Sequence, residues 1–179
     1  MKQLIFGGAR SGKSRLAEQL TLAHGDHIAY IATADKRFHD NEMKARVRHH
    51  RQQRPRHWHT IEQPRQLGSC LRECDQRFDA IMVDCLTLWL TNCLMAEEQD
   101  AEAWVSEKQD FLSALDALQT PIIMVSNEVG MGIVPLGELN RRFVDEAGFL
   151  NQATARISDR CVFTAAGLPL VLKGPALTA

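Results

Sequence analysis

Residues 7–14 read Gly7-Gly8-Ala9-Arg10-Ser11-Gly12-Lys13-Ser14, which is the spacing G-x-x-x-x-G-K-[ST]. The apolar run Leu4-Ile5-Phe6 precedes it, and residues 14–23 follow with Leu16, Leu20 and Ala23 at helical spacing. This order of strand, loop and helix constrains the chain more than any other feature in it. Glycines let backbone N–H groups turn inward around phosphate oxygens, and the helix N-terminus adds its partial positive charge. Lys13 is placed to reach the β and γ phosphates of a nucleoside triphosphate, and the Ser14 hydroxyl to ligate Mg²⁺. The competing reading is a glycine-rich turn with an incidental lysine, and the flanking strand and helix argue against it.

Further apolar runs at 28–32, 80–83, 121–125 and 161–164, with another at 170–172 after the turn at 167–169, predict strands. Between them, residues 41–53, 65–74, 86–95, 101–118 and 136–157 have helical patterning. Continuous rather than alternating apolar strands separated by helices indicate an α/β fold with a mainly parallel central sheet flanked by helices. A length of 179 residues, 45% hydrophobic, suits a single nucleotide-binding catalytic domain over 1–179. Ligands of such sheets bind beyond the carboxyl ends of the strands, where Gly7, Thr33, Asp84 and Asn127 all fall. Asp84 ends the run at 80–83 as a magnesium-holding acid would, and a helix N-cap role for it is compatible with that.

Twenty-one Lys and Arg against 22 Asp and Glu give a formal charge of -1, so no global field draws nucleic acid or an anionic membrane. No apolar stretch approaches the ~20 residues of a membrane span, and Met1-Lys2-Gln3 leads straight into a strand rather than a signal peptide. A cytoplasmic enzyme is expected. The five cysteines, an odd count without C-x-x-C spacing, read as reduced, buried small hydrophobes rather than a metal site.

One dense positive patch remains. Between Lys44 and His59 lie Lys44, Arg46, Arg48, Arg51, Arg54 and Arg56 with His49, His50, His57 and His59, and no carboxylate. Asp40 or Asn41 can cap a helix there that ends before Pro55. Successive helical residues differ by roughly 100° around the axis, so at most one of His49 and His50 can face a given phosphorus atom. Three readings stand: a solvated basic helix, a nucleic-acid patch weakened by the neutral balance and the lack of interleaved aromatics, and a catalytic site. In the last, a neutral imidazole attacks phosphorus while arginines neutralise the departing pyrophosphate. His57 and His59 flank Trp58 at strand spacing, which suits packing or surface roles better than metal binding.

Taken together the residues resemble the bifunctional adenosylcobinamide kinase / adenosylcobinamide-phosphate guanylyltransferase family of cobalamin biosynthesis. The resemblance runs nearly end to end. It is carried by Gly7 to Ser14, Tyr30-Ile31-Ala32-Thr33, Glu42-Met43 followed by Arg46, His49-His50, Arg54-Pro55, Trp58, and Asn127-Glu128-Val129-Gly130-Met131-Gly132-Ile133-Val134-Pro135. The stretch from Asp35 to Asp40 looks longer than in some relatives, and Asp84 stands where Glu also occurs.

The resemblance implies a RecA-like fold, a homotrimer, and two reactions: phosphorylation of adenosylcobinamide by ATP or GTP, then transfer of GMP from GTP to the resulting phosphate. It implies a guanylylated histidine at His49. It also implies nucleotide contacts at Gly7, Gly8, Ala9, Arg10, Ser11, Gly12, Lys13, Ser14, Ala32, Thr33, Ala34, His50, Arg51, Gln52, Gln53, Glu62 and Asp84. Lys13 and His49 are the catalytic candidates, Ser14 and Asp84 the Mg²⁺ ligands, and no nucleic-acid partner is expected. The rival classes are a small-molecule kinase without nucleotidyl transfer, a nucleotide switch, and a DNA motor. A switch is disfavoured because the Asn-Lys-x-Asp guanine-reading sequence is missing.

Overall fold

A computed structural model describes residues 1–35, 55 and 57–177. The strands are β1 (Lys2–Gly7), β2 (Ile28–Ala32), β3 (His59–Glu62), β4 (Ala80–Asp84), β5 (Ile122–Asn127), β6 (Arg160–Ala165) and β7 (Leu168–Lys173). The helices are α1 (Lys13–Leu22), α2 (Leu67–Cys74), α3 (Leu86–Ala96), α4 (Ala103–Ala117) and α5 (Glu138–Ile157).

Among the described residues seven strands form one sheet, in the order β3-β2-β4-β5-β1-β6-β7. All neighbours pair in parallel except β6 and β7, an antiparallel hairpin at one edge. The central strands are apolar on both faces because both faces are covered. Leu4, Ile31, Ile81, Val83 and Met124 pack with residues of α2, α3, α4 and α5, including Leu71, Trp89, Phe111 and Leu150. Ile5, Ile28, Tyr30, Met82, Ile123 and Val125 pack with Ala17 of α1 on the other face. Trp89 anchors the larger layer, its ring 5.4 Å from that of Trp104 and 5.0 Å from that of Phe111. The buried Glu107 beneath it accepts from the Gln66 amide at 2.6 Å and from Arg65 Nε at 3.1 Å, so the acid is not left unpaired.

The expected strands all form. The strand that period alone did not declare is β3, a four-residue edge strand with a largely exposed His-Thr-Ile-Glu sequence, which extends the sheet by pairing with β2. The helix expected over 41–53 lies outside the described residues.

Candidate active site

The strand register gathers the sequence-predicted residues along one end of the sheet. Glu62 and Asp84 both lie opposite Ala32, Asp84 lies opposite Val125, and Gly7 lies opposite both Asn127 and Thr164. Segments far apart in sequence therefore meet beyond the carboxyl ends of β3, β2, β4, β5, β1 and β6, where a ligand of this fold class binds.

Gly7, Gly8, Ala9, Arg10, Ser11 and Gly12 form the turn from β1 into α1, which begins at Lys13. Gly12 adopts φ 93°, and a Cβ there would lie 3.1 Å from the Gly167 Cα. That second glycine sits at the tip of the β6–β7 hairpin, where its N–H donates to the Ser11 carbonyl at 2.9 Å. The hairpin thus braces the loop from outside. At Gly7 a Cβ would meet the Thr164 carbonyl oxygen at 2.3 Å, so only glycine fits where β1 leaves the sheet. Ser14 is half-buried in the first turn of α1.

Lys13 is buried, and its ammonium donates to the Gly8 carbonyl at 3.1 Å. Burial pushes its pKa down, opposed by the charges of Cys85 and Asp84. Burial also pushes the Cys85 thiol up to about 12, so at neutral pH that thiol is uncharged and Asp84 alone among the two supports the ammonium.

Asp84 does not cap α3. The cap position is Cys85, which makes no side-chain cap bond, and a cis peptide joins the two residues. The Asp84 carboxylate instead accepts from the Tyr30 hydroxyl at 2.7 Å through Oδ2. Neighbouring strand ends are tied by Thr33, whose hydroxyl donates to the Cys85 carbonyl at 2.7 Å and accepts from the Cys85 amide at 2.9 Å. Asn92, buried in the apolar α3, donates to the carbonyls of Thr33 at 2.7 Å and Pro64 at 2.9 Å. Ala32 and Ala34 flank Thr33 and are half-buried, and Glu62 is exposed at the end of β3.

The structure therefore places Gly7 to Ser14, Ala32, Thr33, Ala34, Glu62 and Asp84 along the same end of the sheet, with Glu62 on the edge strand farthest from the loop. His49, His50, Arg51, Gln52 and Gln53 lie outside the described residues. His57 stands at the opposite end of the sheet, lining an open hollow with Asp26 and His27. Its Nε2 is 3.9 Å from Asp26 Oδ1, and both side chains are largely exposed. Among the described residues no group of three or more His, Cys, Asp or Glu is arranged to hold a metal, and all five cysteines are free and buried. Sequence reasoning passed over the Tyr30 bond to Asp84, the Thr33 tie and the Gly167 brace. The first carried a signal, since a tyrosine buried in a central strand needs a partner for its hydroxyl.

Residues 3–172 match the family described as cobinamide kinase / cobinamide phosphate guanyltransferase. The chain belongs to that family. Over 177 residues, 99% of this chain and all of the relative, it is 51% identical to the bifunctional adenosylcobalamin biosynthesis protein CobP of Pseudomonas aeruginosa. Its identity to the bifunctional adenosylcobalamin biosynthesis protein CobU is 39% for the Salmonella typhimurium protein and 35% for that of Escherichia coli, each over 97% of this chain and all of the relative. Among solved structures it resembles the RadB recombinase with a TM-score of 0.50 and 17% identity, covering 90% of this chain and 73% of that one. That likeness bears out the P-loop α/β fold and carries no function. Membership in the cobinamide family favours the bifunctional reading over a kinase without nucleotidyl transfer.

Proposed function

We propose that this domain, spanning 1–179, phosphorylates the aminopropanol hydroxyl of adenosylcobinamide with ATP or GTP. It then transfers GMP from GTP to adenosylcobinamide phosphate through a guanylylated His49, releasing pyrophosphate. The observation that carries the reading is the convergence of the Lys13 loop with Asp84 on one sheet end, in a chain that belongs to the cobinamide family.

Both steps use one phosphate site. The loop amides and Lys13 hold the triphosphate tail, so positioning and charge neutralisation supply most of the acceleration. In the kinase step the corrinoid hydroxyl attacks the γ phosphorus directly. In the second step the neutral His49 imidazole attacks the α phosphorus of GTP and pyrophosphate leaves, forming a phosphoramidate that the substrate's phosphate displaces. Dividing the transfer in two avoids direct approach of two polyanions. The family resemblance assigns nucleotide contacts to His50, Arg51, Gln52 and Gln53 as well.

The polar groups at the loop suit Mg²⁺. Tyr30 occupies only Oδ2 of Asp84, leaving the other carboxylate oxygen for a hard cation, and the Ser14 hydroxyl stands next to Lys13. Ser14 and Asp84 would hold the ion, which when bound neutralises charge on the phosphates.

The resemblance implies a homotrimer, and apolar surface supports self-association: Leu168, Leu170 and Leu172 lie exposed along the edge strand β7, and Ile133 and Leu136 are 98% and 92% exposed. We place the enzyme in the cytoplasm and without a nucleic-acid partner, the latter supported by the formal charge of -1; among the described residues no helix is long and apolar enough to cross a membrane.

The test is to assay the two half-reactions separately in His49→Ala. Adenosylcobinamide phosphorylation is expected to persist while GMP labelling from α-labelled GTP is lost. Undiminished labelling would overturn the assignment of His49.

A further inference from the structure

The strand order places one polar residue between the two halves of the phosphate site. β5 runs between β1, which delivers the loop, and β4, which delivers Asp84. Its last residue is Asn127, level with Gly7 and two residues beyond Val125, which is level with Asp84.

Pleating decides which way Asn127 points. Ile123 and Val125 share the α1 face of the sheet with Ile5, Tyr30 and Met82, whereas Met124 belongs to the opposite layer. Ser126 follows Met124, and its hydroxyl lies 3.5 Å from that of Thr87 on α3. Asn127 therefore follows Val125 onto the face that carries α1, and Asp84 is there too, since its partner is the Tyr30 hydroxyl.

The backbone around Asn127 is held from both sides. Its N–H donates to Thr87 Oγ1 at 2.7 Å, on the helix that follows Asp84, and the Glu128 N–H donates to the Gly7 carbonyl at 3.0 Å. The side chain is half-buried, and its carboxamide has no hydrogen-bond partner among the described residues. A pinned residue with an uncommitted amide, facing the gap between loop and metal-side acid, is poised for the end of the triphosphate.

We propose that the Asn127 carboxamide donates to an oxygen of the γ-phosphoryl group and stabilises it during transfer to the alcohol, a role confined to the kinase step. This rests on the bifunctional reading above. In that step the alcohol oxygen bonds to the γ phosphorus as the bond to the β,γ-bridging oxygen breaks. ADP or GDP departs, and the hydroxyl proton passes to water. The amide neither gains nor loses a proton, so its contribution is a fixed donor aimed where charge redistributes. Attack of an imidazole on the α phosphorus involves atoms two phosphates away and does not need it.

The experiment compares Asn127→Ala and the isosteric Asn127→Asp with the intact enzyme, in ATP-dependent phosphorylation of adenosylcobinamide and in GMP labelling from GTP, with melting temperatures taken alongside. Alanine is expected to lower kcat of phosphorylation about 10²-fold, with the rate of labelling at saturating GTP within about threefold of the parent and any weaker GTP binding confined to the concentration needed for saturation. Aspartate, which keeps an acceptor but sets a negative charge against the phosphate, is expected to be slower still. Phosphorylation within threefold of the parent in the alanine variant would overturn the proposal. So would equal losses in both half-reactions, or an aspartate variant faster than alanine. A parent enzyme that labels with GMP but never phosphorylates the alcohol would instead refute the kinase reading itself, and would do so before any variant is made.

Discussion

Replacing Gly12 by alanine separates the geometry of the phosphate loop from its charge. Gly12 sits at φ 93°, ψ 0°, and its would-be Cβ stands 3.1 Å from the Gly167 Cα. Adopting that left-handed conformation with a Cβ costs about 1 kcal/mol, and pressing a methyl against the hairpin backbone adds about 1–2 kcal/mol. The sum is about 2–3 kcal/mol, which in a chain of this size lowers the melting temperature by about 4–12 °C. Gly167→Ala supplies the comparison, because its φ is 78° but a Cβ there meets nothing within 4 Å. It should suffer only the backbone term, about 1 kcal/mol or about 2–4 °C. Thermal unfolding followed by circular dichroism gives both numbers, and titration with a fluorescent GTP analogue reports on the loop. Gly12→Ala is expected to weaken nucleotide binding at least tenfold, because relief of the clash moves the amides that hold phosphate, whereas Gly167→Ala should bind nearly as the parent does. Equal melting temperatures and equal affinities for the two variants would refute the idea that the hairpin braces the loop.

Other outcomes follow from the same site and its frame. Lys13→Met should abolish nucleotide binding yet raise the melting temperature of the nucleotide-free protein at pH 7, because burial disfavours the ammonium by more than Asp84 favours it; a lower melting temperature would contradict that balance. Tyr30→Phe removes the hydrogen bond to Asp84 and is expected to weaken Mn²⁺ binding in the presence of nucleotide about 10-fold, read by electron paramagnetic resonance, with metal-free nucleotide affinity unchanged. Asp75 accepts from the Gln119 amide and from the amide and hydroxyl of Thr120 at 3.1, 2.9 and 2.8 Å. Partial burial pushes its pKa up, and those bonds outweigh it and hold the carboxyl below its ordinary range. A lowered native pKa gives stability that is present above the unfolded-state pKa of about 3.9 and lost as pH falls through the native value. Asp75→Ala should therefore cost about 1–2 kcal/mol at pH 7, and the difference in melting temperature between the two proteins should shrink as pH falls below about 3.9.

The phosphate loop and the central strands were legible in the chain because each rests on a short-range rule. Gly7 and Gly12 are spaced for a turn around phosphate, and Ile81 to Val83 or Ile122 to Val125 are too continuously apolar for a half-exposed strand. The β3 edge strand was hidden for the complementary reason: His59, Thr60 and Glu62 are exposed, so neither face imposes alternation and pairing with β2 alone makes it a strand. The direction of β7 was hidden too, since Leu168, Leu170 and Leu172 are exposed and no buried face fixes them. In the site, Lys13 and Asp84 could be named because they end recognisable strings. The Tyr30 hydroxyl and the Thr33 tie to Cys85 join residues 54 and 52 positions apart, and only strand order reveals such partners. The Ala166-Gly167 turn looked like ordinary punctuation until register carried it over Gly12.

Two-step transfer stands or falls on one covalent bond. Incubating the protein with GTP and Mg²⁺, quenching, and mapping peptides by mass spectrometry should find GMP on the peptide containing His49, absent when ATP replaces GTP and absent in His49→Ala. A protein that turns GTP over on adenosylcobinamide phosphate while carrying no such adduct, or carrying it on another residue, would contradict the mechanism.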